Sequence, residues 1–256
     1  MINIFSRHFP PPIYGGAQSF FYNFLQNIDD EFTFYTHKNA HLDGINKNII
    51  RLPFVPPPRK PNSGFILYFS TLKTFIYFIK KRKTLYKEGI HFGQIWPYGI
   101  AALLLKKIFG IKYTIFLFGE EVSQVVYSTS LKYKIIQWFY RVILKNSSSI
   151  QVSSSFVFEN LKTLFSNNHP NTIRIFYNGL EPNLFCNVSR KAHESFKPRK
   201  EDVIIFSISR HIERKGYKYL FDSVKMLETK TKNWHLFIGG DGPESHRLKL
   251  TIDNLG

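Results

Sequence analysis

The segment ISRHIERKGYKYL (residues 208–220) sets four basic side chains and a histidine between an apolar run and a helical pattern. Arg210, His211, Arg214 and Lys215 fall just after VIIFSIS (203–209), a short β-rich run of the kind covered on both faces of a sheet. Gly216 follows them, and Leu220, Val224 and Leu227 then recur at helical spacing. The cations therefore sit on a strand-to-helix loop, the edge of an α/β sheet where ligands bind. Arg210 offers a planar fork for paired oxygens and Lys215 a mobile point charge. Two separated cations span two phosphoryl groups better than one carboxylate, so the loop suits a diphosphate. A solvated basic loop is the plainer reading of the same residues.

Two glycine-bearing segments invite the same chemistry. PPPIYGG (10–16) ends in Gly15 and Gly16 at the start of a helical pattern, where backbone amides and the helix dipole favour an anion. In GGDGPE (239–244), Gly240 and Gly242 follow a strand and Pro243 suits a first helical position. Either pair also reads as a plain tight turn, and neither completes a dinucleotide fingerprint. FGEEV (118–122) ends a strand with Glu120 and Glu121. Such acids bind sugar hydroxyls, act as a base, or cap the next helix. No clustered acids and no His-x-His pattern suggest a metal site.

The elements that must position these groups alternate strand and helix from end to end, which favours parallel sheets with helices on both faces. Strands are expected at 2–6, 32–37, 48–54, 89–93, 112–118, 149–153, 172–177, 203–209 and 234–240. Helices are expected at 17–28, 64–82, 98–110, 131–145, 156–165, 217–229 and 243–255. Residues 1–185 read as one domain, 186–202 as a linker of little apolar periodicity, and 203–256 as the start of a second strand-helix series. Both series open on a similar strand end, FSRHF (5–9) and ISRHI (208–212).

Composition bounds the setting. The chain has 256 residues, 43% of them apolar, and a single cysteine, Cys186, which excludes an internal disulfide and fits a reducing compartment. No basic stretch followed by an apolar one opens the chain, so no signal peptide is read and a cytoplasmic location is expected. The window 64–79 falls short of the roughly 20 apolar residues a spanning helix needs. The formal charge of +17 is unevenly spread: residues 51–87 carry nine Lys or Arg, and 122–158 carry four, with no acid in either. Within the latter, Leu131, Ile135, Trp138 and Val142 share one face of a basic amphipathic helix. That helix suits peripheral contact with an anionic membrane, or packs as an ordinary core-facing element. No nucleic-acid-binding module is legible.

Taken in order, PPPIYGG, FGEE, VSSS (152–155), YNGLEPNLF (177–185), ISRHIERKG and FIGGDGPE (237–244) resemble the retaining, family-4 glycosyltransferases of the GT-B fold. The resemblance covers nearly the whole chain and implies two Rossmann-like, doubly wound domains. It implies transfer of a sugar from a nucleotide-diphosphate sugar to a hydroxyl of a glycan or lipid-linked acceptor, in surface polysaccharide or glycolipid synthesis. No cofactor beyond that donor is implied. By the same resemblance Gly15 and Gly16 lie near the donor phosphates, Arg210 and Lys215 hold the diphosphate and stabilise its departure, and Gly240 and Gly242 flank the nucleotide. Asn178 and Gly179 match the turn into the interdomain linker, and Glu120 follows the mid-domain glycine near the acceptor side. Two departures matter. Phe118 stands where many members carry a histidine, so no acceptor-activating role passes to that position. The family's second glutamate motif normally lies beyond FIGGDGPE and the next helix, and the chain ends at Gly256, so the second domain is expected to be incomplete. The rival expectation is a non-catalytic relative that serves as a membrane- or partner-binding module. A sugar-phosphate isomerase and a periplasmic-type binding protein fit less well, for want of a partner base and of an export signal.

Overall fold

The computed structural model describes residues 1–10, 15–40, 48–58, 64–165, 172–179, 199–228, 230 and 233–253. Contacts divide the chain into two compact units, Met1–Cys186 and Asn187–Gly256. The expected linker 186–202 lies outside the described residues apart from 199–202, as do positions 11–14 of the first glycine loop and 180–185 after Gly179.

In the first unit the strands β1 (Ile2–Phe5), β2 (Phe32–His37), β3 (Ile49–Leu52), β4 (Ile90–Phe92), β5 (Tyr113–Leu117), β6 (Ser149–Val152) and β7 (Ile173–Ile175) form one sheet. Its order is β3-β2-β1-β4-β5-β6-β7, and every pairing is parallel. Helices α1 (Gly16–Asn27), α2 (Gly64–Lys80), α3 (Arg82–Glu88), α4 (Gly99–Phe109), α5 (Gly119–Tyr127), α6 (Leu131–Asn146) and α7 (Ser155–Phe165) connect them. Successive side chains of a strand point to opposite faces, and the core divides accordingly. Ile4, Phe32 and Phe34 pack with Phe21 and Leu25 of α1, whereas Phe5 and Tyr35 join the larger cluster that includes Phe78, Tyr98 and Leu105. With both faces covered, β2 (FTFYTH) is buried along its whole length.

Several elements depart from the sequence expectation. The helix expected over 64–82 breaks at Lys81 (φ −95°, ψ 3°), and α3 follows, with Leu85 as its buried anchor and Gly89 at φ 76° as its stop. One buried residue in seven leaves no period to read. Residues 119–127, outside every expected helix, form α5, which buries Val122 and Val125. In α6 the core side is Ile136, Tyr140, Ile143 and Leu144, while Leu131, Ile135 and Trp138 stand exposed. The core-facing reading of that latter face is thus overturned: both faces are apolar, and burial selects the other one. Among the described residues no helix is long and apolar enough to cross a membrane.

The second unit holds β8 (Val203–Ile208) and β9 (Trp234–Gly239), paired in parallel, with α8 (Tyr217–Glu228) and α9 (Ser245–Asp253). Tyr217, Phe221 and Leu248 pack with Leu220, Leu236 and Ile238 to form its core. The register sets Ile204 beside His235, Phe206 beside Phe237 and Ile208 beside Gly239, all on the opposite side of the two-stranded sheet. Ile204, Phe206 and Ile208 are exposed, so the expectation of a strand covered on both faces is corrected: among the described residues the helical core covers one face only.

The close approach of β1 and β4 makes Gly93 a sensitive position. A Cβ there would lie 2.5 Å from the Phe21 ring and 2.6 Å from Ser6. Gly93→Ala is expected to lower unfolding stability by about 1–3 kcal/mol through overpacking, read from denaturant midpoints.

Candidate functional site

The second unit builds its site from two loops that follow parallel strands. After β8 the chain runs through Ser209–Gly216, with a single 3₁₀ turn at Glu213–Lys215 closed by Gly216 at φ 71°. After β9 it runs through Gly240–Glu244 into α9. Backbone hydrogen bonds join the two: Ser209 N–H donates to Gly239 O (3.1 Å), His211 N–H to Asp241 O (2.9 Å) and Glu244 N–H to His211 O (3.0 Å). The approach is so close that side chains are excluded. A Cβ on Gly240 (φ 130°) would fall 1.9 Å from Ser209 O, and one on Gly242 would fall 2.5 Å from His211 O. These two glycines fit two backbones against each other, a role that only the packed pair of loops reveals.

His211 is the pivot of the pair. It is buried, and its ring meets the buried Tyr217 ring edge-on at 5.3 Å. Its Nδ1 lies 2.9 Å from Ser245 Oγ, which donates to Asp241 Oδ1 at 2.8 Å and accepts from Gly242 N–H at 2.8 Å. Because the serine proton is committed to Asp241, the bond from His211 requires Nδ1–H as donor. Nε2 has no partner among the described residues. The Asp241 carboxyl is held below its ordinary range by the Ser245 hydroxyl first, then by Gly242 N–H and the His211 charge, against the pull of desolvation. Arg210 and Lys215 flank this anchored histidine, both exposed, on the loop at the end of β8. The structure thus brings Arg210, Lys215, Gly240 and Gly242 onto two loops joined by hydrogen bonds.

In the first unit, Gly15 and Gly16 are exposed at the start of α1. Gly15 is the N-cap, without a side-chain capping bond, and the first turn carries no acid. Asn178, on the segment after β7, comes close enough that a Cβ on Gly16 would lie 3.5 Å from its Nδ2. Glu120 is the second residue of α5, and its side chain lies outside the described residues. Glu121 caps the same helix, accepting from Phe118 N–H at 3.1 Å. Burial pushes its carboxyl up to about 8, against the lowering effect of backbone bonds from Phe118 and Ile95. Of the readings open for the paired acids, capping therefore describes Glu121.

Strand order reverses between β1 and β4, the switch point of such a sheet. Arg7, His8 and His37 gather at the strand ends there, a group that sequence reasoning did not place in a site. The Arg7 guanidinium donates to Pro56 O (3.2 Å) and Pro57 O (3.4 Å), and burial lowers its pKa. His37 Nε2 lies 2.9 Å from Phe9 O, so Nε2–H donates. Burial first, then the charges of Arg7 and His37, press His8 down to about 4, which keeps it neutral at pH 7. The available signal was the echo of FSRHF in ISRHI, which marks both strand ends.

Residues 188–256 match the family profile Glycosyl transferases group 1. No curated protein sequence matches the chain. Among solved structures, sucrose-phosphate synthase from Thermosynechococcus elongatus is similar at 18% identity and a TM-score of 0.67, covering 100% of this chain and 68% of that one. The apo lipopolysaccharide outer core galactosyltransferase WaaB is similar at 15% identity and TM-score 0.61, with 100% and 65% covered. HepE from Anabaena, in complex with UDP and glucose, is similar at 13% identity and TM-score 0.59, with 100% and 66% covered. The chain spans about two thirds of the length of each of these structures. Its fold class is that of the GT-B glycosyltransferases.

Two outcomes test this geometry. Glu121 holds a proton in the folded chain that it loses in the unfolded one between its ordinary value of 4.5 and about 8. Its contribution to stability is full below that window and is lost as pH rises through it. Glu121→Gln should therefore flatten the fall in unfolding midpoint between roughly pH 4.5 and 8, and an unchanged slope would count against a buried acid. Gly240→Ala should part the two loops, seen as faster amide hydrogen exchange at His211 and Glu244 with the first unit unaffected.

Proposed function

We propose that this protein moves a sugar from a nucleotide-diphosphate sugar to a hydroxyl of a glycan or lipid-linked acceptor, with retention at the anomeric carbon, in surface polysaccharide or glycolipid synthesis. The carrying observation is the pair of cations, Arg210 and Lys215, on a loop anchored through His211 to the Gly240–Glu244 loop. As the bond from the anomeric carbon to the donor phosphate breaks, its electron pair passes to the diphosphate. The Arg210 fork and the Lys215 ammonium meet that growing charge from a prearranged position, where such a group is worth roughly 10²–10³ in rate. Charge-assisted hydrogen bonds of this kind contribute about 1.5–3 kcal/mol each. Gly240 and Gly242 let the second loop lie flat beside the first, leaving its backbone open to the nucleotide. HepE, one of the similar folds, is a complex with UDP and glucose, which supports a uridine diphosphate donor as the first to try.

In the first unit Glu120 is the candidate for binding an acceptor sugar hydroxyl or accepting its proton, and the uncapped start of α1 at Gly15 and Gly16 suits a donor phosphate. His8 and His37 at the switch point add polar contacts without added charge.

Calorimetry on the 256-residue chain tests the donor claim. UDP should give saturable heat, and Arg210→Ala or Lys215→Ala should weaken it about tenfold or more. Absence of saturable heat with UDP and ADP alike would favour the non-catalytic reading. In a transfer assay with UDP-sugars, Lys215→Ala should slow turnover by roughly 10²–10³, and near-normal turnover would remove Lys215 from the mechanism.

A further inference from the structure

Helix α2 is inside out. Its buried side carries Ser70, Thr71 and Thr74 beside Phe78, and each hydroxyl is satisfied. Ser70 Oγ shares a hydrogen with Tyr98 OH at 2.7 Å, Thr71 Oγ1 donates to Leu67 O at 2.8 Å, and Thr74 Oγ1 donates to Ser70 O at 2.8 Å. With those partners supplied internally, the packed face tolerates hydroxyls. The opposite face carries Phe65 (81% exposed), Phe69 (51%), Leu72 (52%) and Ile76 (48%). Spaced i, i+4, i+7 and i+11, these form one stripe about 17 Å long.

The stripe has a neighbour. Tyr68 of α2 and Leu131 and Ile135 of α6 line a shared apolar groove of about 450 Å³, floored by Trp96, Ile100 and Phe139. Tyr68 meets the Trp96 ring at 6.0 Å, and Trp96 meets Phe139 at 5.7 Å. Leu131 is 75% exposed, and beyond the groove α6 adds Trp138 (57%). The same face is ringed by cations. Lys73 lies over the Phe69 ring at 4.4 Å, Lys132 lines the groove, and Lys80, Lys81, Arg82 and Lys83 follow the end of α2. Neither α2, α4 nor α6 contains an aspartate or glutamate.

We infer that this α2–α6 face docks on an anionic bilayer, with Phe65, Phe69, Leu72 and Leu131 entering the headgroup–acyl boundary and the lysines remaining at phosphate level. Exposed apolar patches of this extent on a soluble fold mark interaction surfaces. Lysine stems cover apolar surface while their ammonium groups stay in the polar layer, and Trp and Tyr suit the boundary between them. Charge selects the occupant. Two copies of this acid-free face brought together would set cation against cation, whereas anionic headgroups complement it. The inference rests on the first unit alone and stands apart from the transferase reading.

Cosedimentation with vesicles tests it on the whole 256-residue chain. Partition onto phosphatidylcholine vesicles containing phosphatidylglycerol should exceed that onto pure phosphatidylcholine by about tenfold or more, and should fall as salt is raised. The triple change Phe65→Ser, Phe69→Ser and Leu72→Ser should reduce it about tenfold or more. In the unaltered protein, lipids brominated near the headgroup should quench the tryptophan emission of Trp138, and Trp138→Phe should remove most of that quenching. Equal partition onto both vesicle types, or a triple variant that binds as well as the parent, would overturn the inference. So would concentration-dependent dimers that the triple variant abolishes in a protein that ignores vesicles, since the face would then belong to a second copy.

Discussion

Two backbones in the second unit lie closer together than any side chain allows, and the site follows from that contact. With Gly240 and Gly242 in place, His211 hydrogen-bonds through its own N–H and C=O to the opposite loop, and its ring is free to turn inward toward Ser245. Ser245 in turn has its full complement of bonds, one given and two received, and Asp241 keeps its charge as the terminus of the chain. Among the buried side-chain polar atoms of this array, His211 Nε2 is the one without a partner among the described residues. Rigidity here is a matter of hydrogen-bond accounting rather than of bulk, since the unit's apolar core is small. In the proposed transfer, cations carried on such a loop would need little reorganisation as charge develops nearby, which is where electrostatic assistance is most effective.

The first unit reaches a similar end by burial. A seven-stranded parallel sheet covered on both faces forces its polar chemistry to the ends of its strands. At the switch between β1 and β4, Arg7 is held by carbonyl oxygens of Pro56 and Pro57, and the neighbouring His8 stays neutral because burial and that same guanidinium both oppose its protonation. Glu121 illustrates the opposite sign of the same effect: out of water, the carboxyl keeps its proton and serves as a cap.

Helix α2 shows why composition and periodicity are insufficient for placing a surface. Its apolar residues and its hydroxyls would both be read as belonging where hydrophobicity puts them. Local hydrogen bonds within the helix, and one to Tyr98, reverse the assignment. The same ambiguity attends α6, where two apolar faces compete and the tighter packing of Ile136, Tyr140 and Ile143 wins the core.

Local pattern by itself determined the alternation of strands and helices, the basic loop at 208–216, and the two glycine pairs, because periodicity and turn chemistry act over a few residues. It placed the stop of α4 at Gly110, a glycine just past the last helical residue, which the structure holds in a left-handed backbone. It did not show α3, whose single buried leucine has no period, nor the His211–Ser245–Asp241 chain, whose members stand up to 34 residues apart. Nor did it show that β8 would be covered on one face only, or that α2 would turn Phe65 and Phe69 outward. Those outcomes depend on what packs against what, and burial, proton affinity and backbone approach exist only once distant segments share a volume.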